Sequence, residues 1–144
     1  MDEARLAVQA IDFSAAALER ARAQLGDRAA RLLRLADFFE FDPGRIDWIY
    51  ERTFLPALPP ARWPDWARRV AALTESGALL AGFFLIDPSV SESNRRGPPF
   101  AIRRDELNAL LAPGFDCIEQ QSVPSQESIP VLAGREYWLT WRRR

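Results

Sequence analysis

The stretch IDWIYERTFLPALPP, residues 46–60, decides how this chain is read. Residues 46–50 are apolar enough for a short buried strand, which runs into the charged pair Glu51 and Arg52. Thr53, Phe54 and a turn studded with Pro56, Pro59 and Pro60 follow. An apolar strand whose carboxyl end delivers charge into a loop is how open α/β sheets build ligand sites. The plainer reading is a core strand followed by a solvated Glu–Arg pair. Two further junctions of the same kind lie upstream. LAVQAIDFS, residues 6–14, carries Asp12, and RLLRLADFF, residues 31–39, carries Asp37. Three strand–acid junctions within the first 52 residues make a pattern.

Working outward, residues 6–11 have strand length, and Ser14 is a good cap for a helix with Leu18, Ala21 and Leu25 on one face. Gly26 is placed to end that helix. Residues 31–36 predict a second strand, marked as an edge by its two arginines. Pro56, Pro59 and Pro60 bar a helix until Ala61 or later. Trp63, Trp66, Val70 and Leu73 then repeat at helical spacing, with Pro64 in the first turn. Residues 77–86 do not alternate and predict a strand covered on both faces. Residues 87–96 are polar and read as a loop, and residues 97–100, GPPF, as a stiff turn. Residues 104–112 predict a helix with Leu107, Leu110 and Leu111 inward. The last strands are expected at 115–121 and 135–141, separated by a loop over 122–134. This alternation of strands and helices predicts an α/β fold, a mostly parallel sheet with helices on both faces. The closing pair, joined without a helix, makes the C-terminal strand antiparallel.

With 144 residues, one domain (1–144) is expected. The net charge of −1 gives no general attraction to nucleic acid or to an anionic membrane. There is no histidine and a single cysteine, Cys117. A histidine triad, an imidazole base, a zinc site and an internal disulfide are thereby excluded or disfavoured. One cysteine fits a reducing compartment, so a cytoplasmic location is expected. The longest uncharged apolar run is about half the length needed to cross a bilayer.

In nucleotide-binding sheets of this type, an acid at the end of the second strand accepts hydrogen bonds from ribose. Asp12 takes that position if residues 6–11 are strand two. Its other reading is a helix-entry aspartate beside the Ser14 cap. Asp37 is placed to receive an adenine amino group, with Phe38 and Phe39 as a flat apolar wall or, alternatively, as core. The ribose acid normally follows a glycine-rich loop by about 20 residues. Here only 11 residues precede Asp12, and the seven glycines contain no G-x-G.

Taken in order, IDFSAAALERA, LADFFEF, IDWIYERTFLPALPP, GPPF and GREYWLTWRR resemble the thiopurine methyltransferases. They are more similar still to the thiol, halide and thiocyanate methyltransferases of that superfamily. The resemblance runs from about Leu6 to the end. It implies a class I, Rossmann-like methyltransferase sheet of seven strands ordered 3-2-1-4-5-7-6, and S-adenosyl-L-methionine as methyl donor to a small soft nucleophile. It assigns Asp12, with Phe13 beside it, to the ribose, and Asp37 and Phe38 to the adenine. It puts Arg52 near donor and acceptor, as a catalytic and substrate-binding residue. Pro98, Pro99 and Phe100 match a loop lining the acceptor pocket. The bland alternatives are a stiff turn at 97–100 and an Arg52 that pairs with Glu51 or Glu40.

The family's first strand, its GCGxG loop and an upstream aromatic helix have no counterpart here. That strand is the middle of the sheet, and a hole there leaves backbone groups to be paired. The chain is expected to be a fragment, though a rearranged sheet or a strand from another chain would also answer. The gap also offers a route to self-association. Methyl transfer to a thiolate or halide needs positioning and exclusion of water more than a strong base. Against this stand a non-catalytic remnant that serves as a partner-binding or regulatory module, and a nucleotide-binding enzyme of another class.

Overall fold

A computed structural model describes residues 6–132 and 134–144. The chain divides into two compact units, Met1–Asp42 and Pro43–Arg144. In the first, β1 (Ala10–Asp12) pairs in parallel with β2 (Leu33–Leu35) across the helices α1 (Ala15–Leu25) and α2 (Ala29–Leu32). The Ser14 hydroxyl accepts from the Ala17 N–H at 3.2 Å and caps α1 as expected. Leu18, Ala29 and Leu33 form a small core with Ala21 and Leu25 packed on it. Both strands are shorter than their apolar runs predict. Residues 6–9 form no strand, and Leu6 and Val8 lie exposed.

The second unit holds β3 (Ile46–Arg52), α3 (Phe54–Ala57), α4 (Trp63–Leu73), β4 (Thr74–Leu85), α5 (Arg104–Leu111), β5 (Phe115–Ser122) and β6 (Glu136–Arg143). Its four-stranded sheet has the order β3-β4-β6-β5. β3 and β4 run parallel, and β6 is antiparallel to both its neighbours, as the missing helix between the last two strands predicts. Taking strand 1 out of the order 3-2-1-4-5-7-6 leaves a 3-2 pair and a 4-5-7-6 set. These are the two sheets observed.

β4 is the spine, and it begins directly where α4 ends. Thr74 makes the join, its hydroxyl donating to the Val70 carbonyl at 2.8 Å. Two residues of β3 then span five of β4, since Ile46 pairs with Thr74 and Trp48 with Leu79. Gly77, at φ 91°, absorbs this bulge in a backbone conformation that side chains disfavour. α4 packs on β4 and on α5. Trp66, Val70, Leu80, Phe84, Leu107, Leu111 and Leu139 are buried together as the core.

Three expectations change. β3 is not a buried strand: Trp48 and Tyr50, on the same face as Arg52, are 50% and 57% exposed, and no strand among the described residues pairs with its outer edge. The strand also continues through Glu51 and Arg52. The prolines do not bar helical turns before Ala61. Pro56 sits inside the single turn α3, where its missing N–H has no helical partner to lose. A 3-10 turn, Pro60–Arg62, leads into α4. Among the described residues no helix is long and apolar enough to cross a membrane.

Candidate functional site

In the first unit, Asp12 closes β1 and Asp37 stands two residues beyond β2. The two strands are parallel neighbours, and the Ala36 N–H donates to the Asp12 carbonyl at 3.1 Å. Both carboxylates therefore lie at the same end of the sheet. Each uses one oxygen to accept from the backbone two residues on: Oδ1 of Asp12 from the Ser14 N–H at 2.7 Å, Oδ1 of Asp37 from the Phe39 N–H at 2.8 Å. These short loops fix the side chains and leave the second oxygen of each to other donors. Phe13 is exposed. Phe38 is half-buried and meets Phe39 edge-on, with ring centroids 5.2 Å apart.

In the second unit, alternation along β3 sends Glu51 and Arg52 to opposite faces. The pair read from sequence does not form. Arg52 meets Glu136 instead, Nη2 to Oε1 at 3.5 Å, across the register that sets Arg52 opposite Phe83 and Leu85 opposite Glu136. Its guanidinium lies 4.4 Å from the Phe83 ring centroid, and Phe83 meets Trp138 edge-on at 5.1 Å. Arg52 is held but not saturated: its side chain is 33% exposed, and its buried Nε has no hydrogen-bond partner among the described residues. Glu136 is fully buried. Its second oxygen accepts from the Ser128 hydroxyl at 2.6 Å and the Ile129 N–H at 2.9 Å, tying down the loop between β5 and β6.

Glu51 goes into the interior, only 4% exposed. Its Oε1 accepts from the Leu55 N–H at 2.9 Å, and the Phe54 N–H also favours its charge. Burial outweighs both and pushes its carboxyl up to about 7.

The GPPF segment is split between two clefts. Pro98 and Pro99 line one of about 560 Å³ with Asp87, Asn94, Arg96 and Arg135. The Ser89 hydroxyl and N–H and the Arg135 guanidinium, 3.0 Å away, hold the Asp87 carboxyl below its usual range. Phe100 lines a second cleft of about 540 Å³ with Trp63, Arg95 and Glu106. Arg52 lines neither. Sequence reasoning missed Glu136, Asp87, Arg95 and Arg135. Glu136 lies 84 residues from Arg52 and carries no local signal. Glu51 could have been found, because strand alternation already separates it from Arg52. Among the described residues no cluster could hold a metal ion.

Solved structures identify the fold. The glycopeptide N-methyltransferase MtfA, complexed with S-adenosyl-L-methionine, superposes with a TM-score of 0.70 over 96% of this chain and 72% of its own, at 16% identity. The 1,6-didemethyltoxoflavin N1-methyltransferase of Burkholderia thailandensis gives 0.65 over 95% and 61%, at 20% identity. The chain has the α/β fold of the class I methyltransferases. Its whole length, residues 1–144, matches the family described as Thiopurine S-methyltransferase (TPMT), and the chain belongs to that family. It is 28% identical over 96 residues to a thiopurine S-methyltransferase of Psychrobacter cryohalolentis, covering 65% of this chain and 42% of that protein. It is 30% identical over 110 residues to a probable thiol methyltransferase of Arabidopsis thaliana, covering 74% and 46%. The chain thus spans less than half the length of these curated relatives.

Proposed function

We propose that this chain carries the adenosine and acceptor sides of an S-adenosyl-L-methionine-dependent methyltransferase for a small soft nucleophile, a thiol, thiopurine, halide or thiocyanate. The two units are then parts of one domain, and the exposed thiol of Cys117 fits a cytoplasmic setting. The observation that carries this reading is the pair of carboxylates at the ends of neighbouring parallel strands, each with one oxygen left for a donor. Donors of that kind are the ribose hydroxyls and the adenine amino group, so the residues present fit the adenosine half of the cofactor. No G-x-G is present to receive the methionine half.

When bound, the cofactor supplies an electrophilic methyl group on a sulfonium. Asp12 accepts from the ribose and Asp37 from the adenine, with Phe13 and Phe38 as apolar cover. Arg52, whose side chain is one-third exposed, offers a donor to an anionic acceptor and stabilises a thiolate against protonation. Pro98 and Pro99 in one cleft and Phe100 in the other would each keep water from an acceptor bound beside them, which makes an anionic nucleophile more reactive. A chain without histidine suffices, because a thiolate or halide needs no general base.

Isothermal titration of the 144-residue protein with S-adenosylhomocysteine tests this. Binding that weakens at least tenfold in Asp12→Ala supports the assignment. No heat at millimolar ligand would favour a non-catalytic remnant that binds a partner, and unchanged affinity in Asp12→Ala would remove Asp12 from the ribose.

A further inference from the structure

The second unit contains a continuous chain of contacts that neither cleft explains by itself. Thr53, at φ 67°, turns the backbone sharply after β3, so that the carboxyl of Glu51 meets the N–H of Leu55 in α3. α3 then supplies two carbonyls to other segments. Leu55 accepts from the Trp63 indole N–H at 3.3 Å, and Pro56 accepts from the Phe100 N–H at 2.7 Å. Trp63 in turn lies under the Arg95 guanidinium, 4.9 Å from its ring, and Arg95 donates to Glu106 at 2.5 Å. Phe100 therefore hangs from α3, and α3 hangs from Glu51.

We infer that Glu51 is a positioning residue, whose carboxyl group sets the place of Pro98, Pro99 and Phe100 through α3. The inference rests on the proposed function only for calling residues 97–100 the acceptor side. Among the described residues Glu51 has no ion-pair partner, and only burial and the Leu55 and Phe54 N–H groups act on its carboxyl. Of the charged groups on β3 and β4, the strands packed on α3, Arg52 faces the other side with Glu136, and Asp47 and Glu75 stand at the far end with Arg45. On α4 and α5, Asp65 is taken by Arg62 and Arg68, and Glu106 by Arg95. Burial already pushes Glu51 towards neutral pH, so its charge changes within an accessible range.

The test follows the backbone amide signals of Leu55 and Phe100 by NMR in the isotope-labelled 144-residue protein as pH rises through neutrality. Wild type, Glu51→Gln and Glu51→Ala are compared. In wild type the two signals should move together with one midpoint. Glu51→Gln keeps an acceptor but cannot titrate. It should abolish the shared movement while keeping the Phe100 amide protected from exchange. Glu51→Ala should lower that protection about tenfold, the scale of one lost hydrogen bond, while β4 and β6 amides keep theirs. A Phe100 signal that stays still while Leu55 titrates would overturn the inference. So would a shared titration that survives in Glu51→Gln, or full Phe100 protection in a folded Glu51→Ala. Should the alanine variant not fold, the comparison of wild type with glutamine decides alone. No cofactor or acceptor enters the measurement, so failure here leaves the methyltransferase reading intact, and failed ligand binding leaves this coupling intact.

Discussion

Replacing Glu51 by glutamine should make the protein more stable at alkaline pH and leave it nearly unchanged in acid. The carboxyl titrates near 7 in the folded protein, against an ordinary value of 4.5, because burial penalises the charge. The folded state therefore keeps its proton up to about pH 7, while the unfolded chain releases it near pH 4.5. Stability from this group is fully present below the lower value. It is lost as pH rises through the upper one, where the buried site must hold a bare carboxylate. At about 1.4 kcal/mol per pH unit, the loss amounts to roughly 3 kcal/mol above neutrality. The group is almost wholly buried, so solvent screening takes little from that figure.

Glutamine keeps an oxygen for the Leu55 N–H and has no charge to desolvate. The stability difference between variant and wild type should thus widen by about 2–3 kcal/mol from about pH 5 to about pH 8.5. Urea unfolding followed by tryptophan fluorescence measures it cleanly, because all five tryptophans lie in the second unit with Glu51. A difference that stays flat across that range, or a glutamine variant weaker than wild type at the alkaline end, would refute the claim that desolvation governs this carboxyl.

Two other substitutions probe the same sheet. A Cβ at Gly82 would run into the backbone of Glu51, its carbonyl oxygen first, and backbone cannot swing aside as a side-chain tip can, so Gly82→Ala should cost at least about 3 kcal/mol or prevent folding of the second unit, read as a lost or lowered melting transition. Glu136→Ala strips Arg52, the Ser128 hydroxyl and the Ile129 N–H of their shared acceptor, which should cost about 2–4 kcal/mol in urea unfolding, somewhat less than for a fully buried pair because Arg52 is partly exposed.

The elements that local pattern encodes were legible before the fold was known. Ser14 and Gly26 bracket α1 as their residue types require, and Trp63, Trp66 and Val70 place α4. The unbroken apolar run into Ile86 gives the buried strand β4, and the alternation of residues 137–141 gives β6. What pattern could not reach is pairing across distance. Arg52 finds Glu136, Asp87 finds Arg135, and Arg95 finds Trp63, each across more than 30 residues. Such partners are chosen by register and loop path, which single residues do not announce. The strand ends were also misjudged where burial was assumed. Residues 6–9 look like strand by composition, but no strand among the described residues stands beside them to supply hydrogen bonds.

The largest mismatch between sequence and structure falls on one strand, and it has a single physical cause. β3 is composed like an interior strand: Ile46, Trp48, Ile49 and Tyr50 leave room for little but Asp47 before the charged end. A strand of that composition is expected to be covered on both faces, as strands inside a sheet are. Among the described residues it pairs only with β4, its other edge is open, and Trp48 and Tyr50 on one face are exposed. Edge strands that evolve as edges are blunted by charge, proline or bulges, and the first five residues of β3 carry only Asp47 against pairing. The bulge in the β3–β4 pairing lies on β4, opposite the start of β3. Reading β3 as buried was therefore faithful to its composition and wrong only about its surroundings. In the order 3-2-1-4-5-7-6 the fourth strand has a neighbour on each side, which is the setting that the composition of β3 suits.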